Sequence, residues 1–243
     1  MTSPVIPRLS LDSTIEHRLL VNFAADPAVA ARLVPAPFEP EFVDGAAILG
    51  LCAVRLRSPR PAGLPAIPMR ADGTAHRIAV VHRETGKRAV WVPLRHTSSR
   101  IAAITGGRLV AGVQHPGRFV VRSAPGAVSV RVQAPDLDVR VTVEPTDALV
   151  SRRFADMDAI SAFFHDAPVA YSRNRSGDAA EGLRLHTTGW SIGPARLVEF
   201  HSSFLDALPA GSLELDSVLL MRGVPALWST APLVPLERQV VAA

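Results

Sequence analysis

Arg18-Leu19-Leu20-Val21-Asn22-Phe23, then Asp26-Pro27, then Leu33-Val34-Pro35-Ala36-Pro37-Phe38-Glu39-Pro40: an apolar run, a helix start and a proline stop follow one another in close order. The apolar run suits a buried strand. Asp26 offers a side-chain oxygen to the free amides of a first turn, and Pro27 sits where a missing N–H costs nothing. Ala28 to Leu33 are good helix formers, and the rings of Pro35 and Pro37 forbid continuation. Phe38 to Phe42 then leads to Asp44-Gly45, a two-residue turn signal, and Ala46 to Leu56 reads as the returning strand of a hairpin. Strand, short helix and hairpin at the start of a chain rich in proline predict a mainly β protein.

The remaining sequence extends this pattern. Ser58 to Asp72 contains four prolines and Gly63 and is expected to be a loop crossing the end of a sheet. Thr74 to His82 and Arg88 to His96 form a second hairpin around Glu84-Thr85-Gly86-Lys87. Arg118 to Ser123, Ala127 to Gln133 and Leu137 to Val143 alternate valine with polar residues, which predicts strands with one wet face. Asp156 to Phe164 carries Met157, Ile160, Phe163 and Phe164 at helical spacing, a core-packing pattern. Val169 to Asn174, Leu183 to Thr188 and Arg196 to Ser203 read as further strands. With no repeat or linker, one domain spanning residues 1–243 is expected.

Composition narrows the function. Of 243 residues, 48% are hydrophobic and 20% charged, in both signs, which is globular. The net charge of +4 comes from arginines scattered singly, Lys87 being the only lysine, and no basic stripe interleaved with aromatics appears. Nucleic acid is therefore not an expected partner, and the arginine excess is read as codon bias without functional message. Cys52 is the sole cysteine, which excludes an intrachain disulfide and a thiolate cluster. The first ten residues lack the apolar run of a leader, and no segment is long enough to span a bilayer, so neither membrane nor export is expected and the predicted address is the cytoplasm. Eight histidines show no His-x-His or HExxH spacing, so no metal or other cofactor is expected. The serine pairs Ser98-Ser99 and Ser202-Ser203 lack a nucleophile elbow, and Gly106-Gly107 lacks a phosphate-binding fingerprint. Trp91, Trp190 and Trp228 are expected in the core or lining a pocket.

The opening stretch resembles the N-terminal strand, helix and proline-rich turn of the acetoacetate decarboxylase-like superfamily. Gly107-Arg108-Leu109-Val110-Ala111-Gly112-Val113-Gln114-His115-Pro116 is similar to the segment that carries that family's Schiff-base lysine, but both of its lysines are absent here. Phe163-Phe164, Tyr171-Ser172, His186 to Trp190 and Glu199-Phe200 resemble the branch classed as a domain of unknown function. The resemblance implies a closed, cone-shaped β-barrel with flanking helices, an interior pocket for a small carboxylic acid such as a keto acid, and assembly into homo-oligomers. It also implies that decarboxylation through a lysine imine does not operate, since neither the His115 imidazole nor the Gln114 amide can form that electron sink. Lys87 lies in a predicted turn.

The same resemblance supplies candidate residues. The family's substrate-binding arginine aligns at Glu16, with Arg18 two residues along and on the same face of a regular strand. Its pocket glutamate falls near His76 or Arg77, which would make the pocket more cationic and suited to an anion. Arg18 either clamps a ligand carboxylate or pairs with Glu16, Glu39 or Glu41. His115 is a general acid or base, with Gln114 beside it, or a plain loop histidine. His76 and His82 share one strand face and Arg77 the other, so one set at most enters a cavity. The expectation is thus a small-anion enzyme or binder, with a non-catalytic ligand-binding or structural protein as the rival reading.

Overall fold

The computed structural model describes residues 10–105 and 111–237. The chain opens with β1 (Leu11–Ala25), α1 (Pro27–Leu33), β2 (Phe38–Pro40), β3 (Phe42–Val43), β4 (Ala46–Pro61), β5 (Arg70–His82) and β6 (Arg88–Thr97). After α2 (Arg100–Thr105) come β7 (His115–Pro116), β8 (Arg118–Ala124), β9 (Ala127–Ala134) and β10 (Leu137–Pro145). The chain continues through α3 (Met157–His165), β11 (Val169–Arg173), β12 (Ala179–Thr187), β13 (Gly193–Ser202), α4 (Ser203–Asp206) and β14 (Leu213–Pro235).

Local chemistry sets the first elements. Asp26 Oδ1 accepts from the Ala28 and Val29 amides and caps α1. Asp44 and Gly45 both take positive φ, giving the two-residue turn that pairs Phe42 with Ala47 and Val43 with Ala46. The expected loop from Ser58 to Asp72 is shorter than its prolines suggested. β4 runs to Pro61 and β5 starts at Arg70, with Ser58 donating to the Met69 carbonyl, because proline is tolerated where a strand leaves the ladder. The largest departure is β14, 23 residues long, in a stretch where no strand was expected. Gly223, Pro225 and Pro232 break its pattern, yet only parts of its length must pair on both sides at once.

β14 closes the architecture. It pairs with β1 from Leu213 to Trp228 and with β12 from Ala226 to Pro235, so the path β1-β4-β5-β6-β11-β12-β14 returns to β1 as a ring. From β14 a second layer, β13-β10-β9-β8, branches off and folds over β1, β4 and β14. Its Val128, Val130, Val139 and Val141 pack on Leu19, Val21, Leu51 and Leu220. A stacked sheet needs about 10 Å of clearance, whereas a seven-strand ring has room only for side chains or one small ligand. That face is therefore the outer one, and residues of opposite parity, such as Leu20, Cys52, Arg77 and Leu219, point inward. The α3 residues Ile160 and Phe163 pack on Leu20, Ile48, Ala79 and Leu219 and cover one end of the ring.

Two histidines are buried in the seam between the layers. His17 has no partner at either ring nitrogen, and burial, with the Arg55 charge, pushes its pKa from 6.5 down to about 4. Burial, helped by His96, takes His76 down to about 3. The unfolded chain binds protons at these sites near pH 6.5 while the folded chain refuses them, so their stabilising effect is whole above that pH and is lost as pH falls towards 4. The melting temperature, followed by circular dichroism, should be level above about pH 7 and drop by several degrees by about pH 5. His17→Leu should flatten the drop, and a pH-independent melting point would contradict the assignment.

Candidate functional site

The inner wall carries an unusual concentration of guanidinium groups. On β1 the register against β4 slips between Ile15 and His17, so Glu16 occupies a bulge and the inward phase passes to Arg18. Glu16 accepts from Arg70 outside, and Glu39 and Glu41 are taken by Arg83 and Arg88, so none of the three carboxylates proposed for Arg18 pairs with it. Arg18 instead donates from Nε to Cys52 Sγ at 3.3 Å across the β1–β4 ladder. Arg77 lies next on β5, opposite Gly50, and Arg95 follows on β6, opposite Ala75. Both interact electrostatically with Cys52.

Along β4 and β5 the inward side chains are less completely buried than the outward ones. The outward Leu51, Ala53, Thr74 and His76 are buried, whereas the inward Cys52, Val54 and Ala75 are partly accessible. The guanidiniums differ in depth: Arg18 is half-buried, Arg77 is 3% exposed and Arg95 8%. Arg77 donates to Asn22 Oδ1 and stacks 4.6 Å from the centroid of Phe164, while Asn22 is held by Ser217. Arg95 donates to the Ala111 carbonyl. Nε of each has no hydrogen-bond partner, and among the described residues neither has a carboxylate at ion-pair distance. Burial lowers each pKa to about 10, so both stay charged at neutral pH.

The segment that follows the undescribed residues 106–110 enters the ring. Gly112 donates its amide to Glu181 and turns with φ +78°, and a Cβ there would lie 2.6 Å from Ser172 Oγ, so only glycine fits without movement. The Gln114 amide is buried and shares the Ala111 carbonyl with Arg95. Gln114 thus belongs with the arginines. His115 does not: β7 pairs in parallel with β6, His115 beside His96, and its Nδ1 faces Asp136 outside the ring. His76 also points outward, bonding Ser202 at 2.8 Å and packing on Phe204, so Arg77 rather than His76 takes the place near which the resemblance put a glutamate.

Of the inward-facing polar residues, resemblance and strand parity point to Arg18, Arg77 and Gln114 but not to Cys52, Asn22 or Arg95. Arg95 directly follows the apolar run Val90 to Leu94, a signal that reading the arginine excess as codon bias conceals. Lys87, in the turn between β5 and β6, is exposed and outside this wall. Among the described residues no helix is long and apolar enough to cross a membrane.

Solved structures share this fold at low identity. An acetoacetate decarboxylase from Legionella pneumophila has a TM-score of 0.61 and 11% identity, with 100% of this chain and 94% of that chain covered. An acetoacetate decarboxylase-like enzyme from Sphingomonas wittichii gives 0.60 and 14%, covering 96% of this chain and 94% of the other. The enduracididine biosynthesis enzyme MppR, complexed with pyruvate, gives 0.57 and 13%, covering 95% of this chain and 89% of its own. No curated protein matches the chain in sequence. The family DUF2071, described as an uncharacterized conserved protein, matches residues 12–225, and the chain belongs to that family, with an acetoacetate decarboxylase-like fold.

Proposed function

We propose that the ring holds a small carboxylate, of the keto acid class, against Arg18, Arg77 and Arg95, with Gln114 at its edge. One observation carries this reading: two buried, charged guanidiniums point inward beside partly accessible side chains, and among the described residues no carboxylate lies at ion-pair distance from either. An uncompensated buried charge costs several kcal/mol, and a bound carboxylate would supply the missing charge through paired hydrogen bonds. MppR, which shares the fold, has been captured with pyruvate, and this supports the ligand class. The hollow offers no lysine, so chemistry on the ligand would not pass through an imine. The second reading, a binder without catalysis, is favoured by the outward placement of His76 and His115, the two histidines expected in the pocket. The reading takes the chain as one domain and leaves assembly into homo-oligomers and a cytoplasmic address as parts of the proposal.

The reading predicts an inverse relation between stability and binding. Pyruvate and acetoacetate, titrated by calorimetry, should bind wild type and lose at least about tenfold in affinity with Arg18→Gln. Arg95→Met should abolish binding yet melt a few degrees higher than wild type without ligand, because it removes an unpaired buried charge. If no keto acid binds and Arg95→Met is less stable, Arg95 is structural and the reading fails.

Two chemical probes complete the test. Alkylation of Cys52 by iodoacetamide, followed by mass spectrometry, should slow several-fold when the hollow is filled with pyruvate, since the thiol lies beside Arg18. Borohydride added with pyruvate should leave the protein mass unchanged; a trapped adduct would restore imine chemistry.

A further inference from the structure

His96, His115 and Asp136 come together on the outer wall although they are distant in sequence, as their numbers show. Parallel pairing of β7 with β6 sets the two histidines side by side, with ring centroids 5.3 Å apart. Asp136, in the turn between β9 and β10, reaches down from the second layer. Its Oδ1 lies 2.9 Å from His96 Nε2 and its Oδ2 3.5 Å from His115 Nδ1. One donor atom from each residue lies within 4.8 Å of both others.

We infer that His96, His115 and Asp136 form a divalent transition-metal site, with zinc the ion best suited to it. Two imidazoles and a carboxylate are the donor set of open zinc sites, and ligands about 2.0–2.2 Å from a tetrahedral ion lie roughly 3.3 Å from one another. Asp136 reaches each imidazole through a different oxygen, at 2.9 and 3.5 Å, the scale of that edge, and one of these oxygens would turn to the shared ion. The remaining adjustment falls to His115, whose side chain is 42% exposed, since the His96 side chain is fully buried in the wall. Asp136 also lines a cavity of about 660 Å³ with Leu33, Leu137, Phe204 and Leu208. The coordination position left by three protein ligands would open towards solvent or that cavity. The site is separate from the inner wall and does not depend on the keto acid reading. It gives His115 a role that its outward orientation denies it in the ring.

Tag-free protein, stripped with a chelator and dialysed, should bind one Zn²⁺ per chain in calorimetry at micromolar or tighter dissociation constant. His115→Ala and Asp136→Asn should each weaken binding by at least about tenfold, whereas His186→Ala, on another strand, should not. Both test positions are partly exposed, so the fold is expected to survive, and unchanged circular dichroism checks it. Cobalt(II) should give the intense visible absorption of a four- or five-coordinate ion in wild type and not in Asp136→Asn. Absence of one-to-one binding in wild type, or affinity unchanged by both substitutions, would overturn the inference and leave Asp136 as a hydrogen-bonded bridge between two imidazoles.

Discussion

Closure of the ring by β14 is the constraint on which the other features rest. A single strand pairs with β1 along one stretch and with β12 along another, which removes two exposed edges and converts a curled sheet into a container. Once closed, every strand has an inside and an outside, and alternation alone then assigns each residue to a dry seam or to the hollow. The second layer and the helices α1 and α4 cover much of the outside, with Leu49, Ile78 and Trp91 packed among them. This explains why His17 and His76 on that side are forced neutral, while Arg77 and Arg95 on the other side remain charged.

The cost of that arrangement falls on the inner wall. A core built for stability alone would fill positions 77 and 95 with aliphatic side chains, which satisfy packing without desolvating a charge. Instead Arg77 leans on the Phe164 face and the Asn22 amide, and Arg95 on a single carbonyl. Both positions therefore cost the fold stability that aliphatic side chains would not. The segment at Gly112 is equally constrained, for its close approach to Ser172 leaves no room for any side chain.

The fold was legible in the sequence to the extent that its signals were local. The Asp26 cap, the Asp44-Gly45 turn and the valine alternation of β8 to β10 each depend on a few neighbouring residues, and each appears in the structure as expected. β14 was not legible because proline and glycine in its span look like interruptions until its two separate partners are known. The same limit governs the site. Arg18 and Arg77 could be named from resemblance and parity, but Arg95 and Cys52 gain significance only from cross-strand register. The grouping of His96 with His115 and Asp136 needs both a parallel pairing and a turn from another layer, neither of which has a sequence signature.

The bulge at Glu16 carries a consequence for how this chain tolerates change. One surplus residue lets β1 switch phase between its two halves, so that Ile15 and Arg18 can both face the lumen while His17 lies beneath the outer sheet. Loss of any one residue here would exchange these tenants, driving a guanidinium into an oily seam and an imidazole into the bore. Substitutions along this strand are therefore easier to absorb than a change in its length.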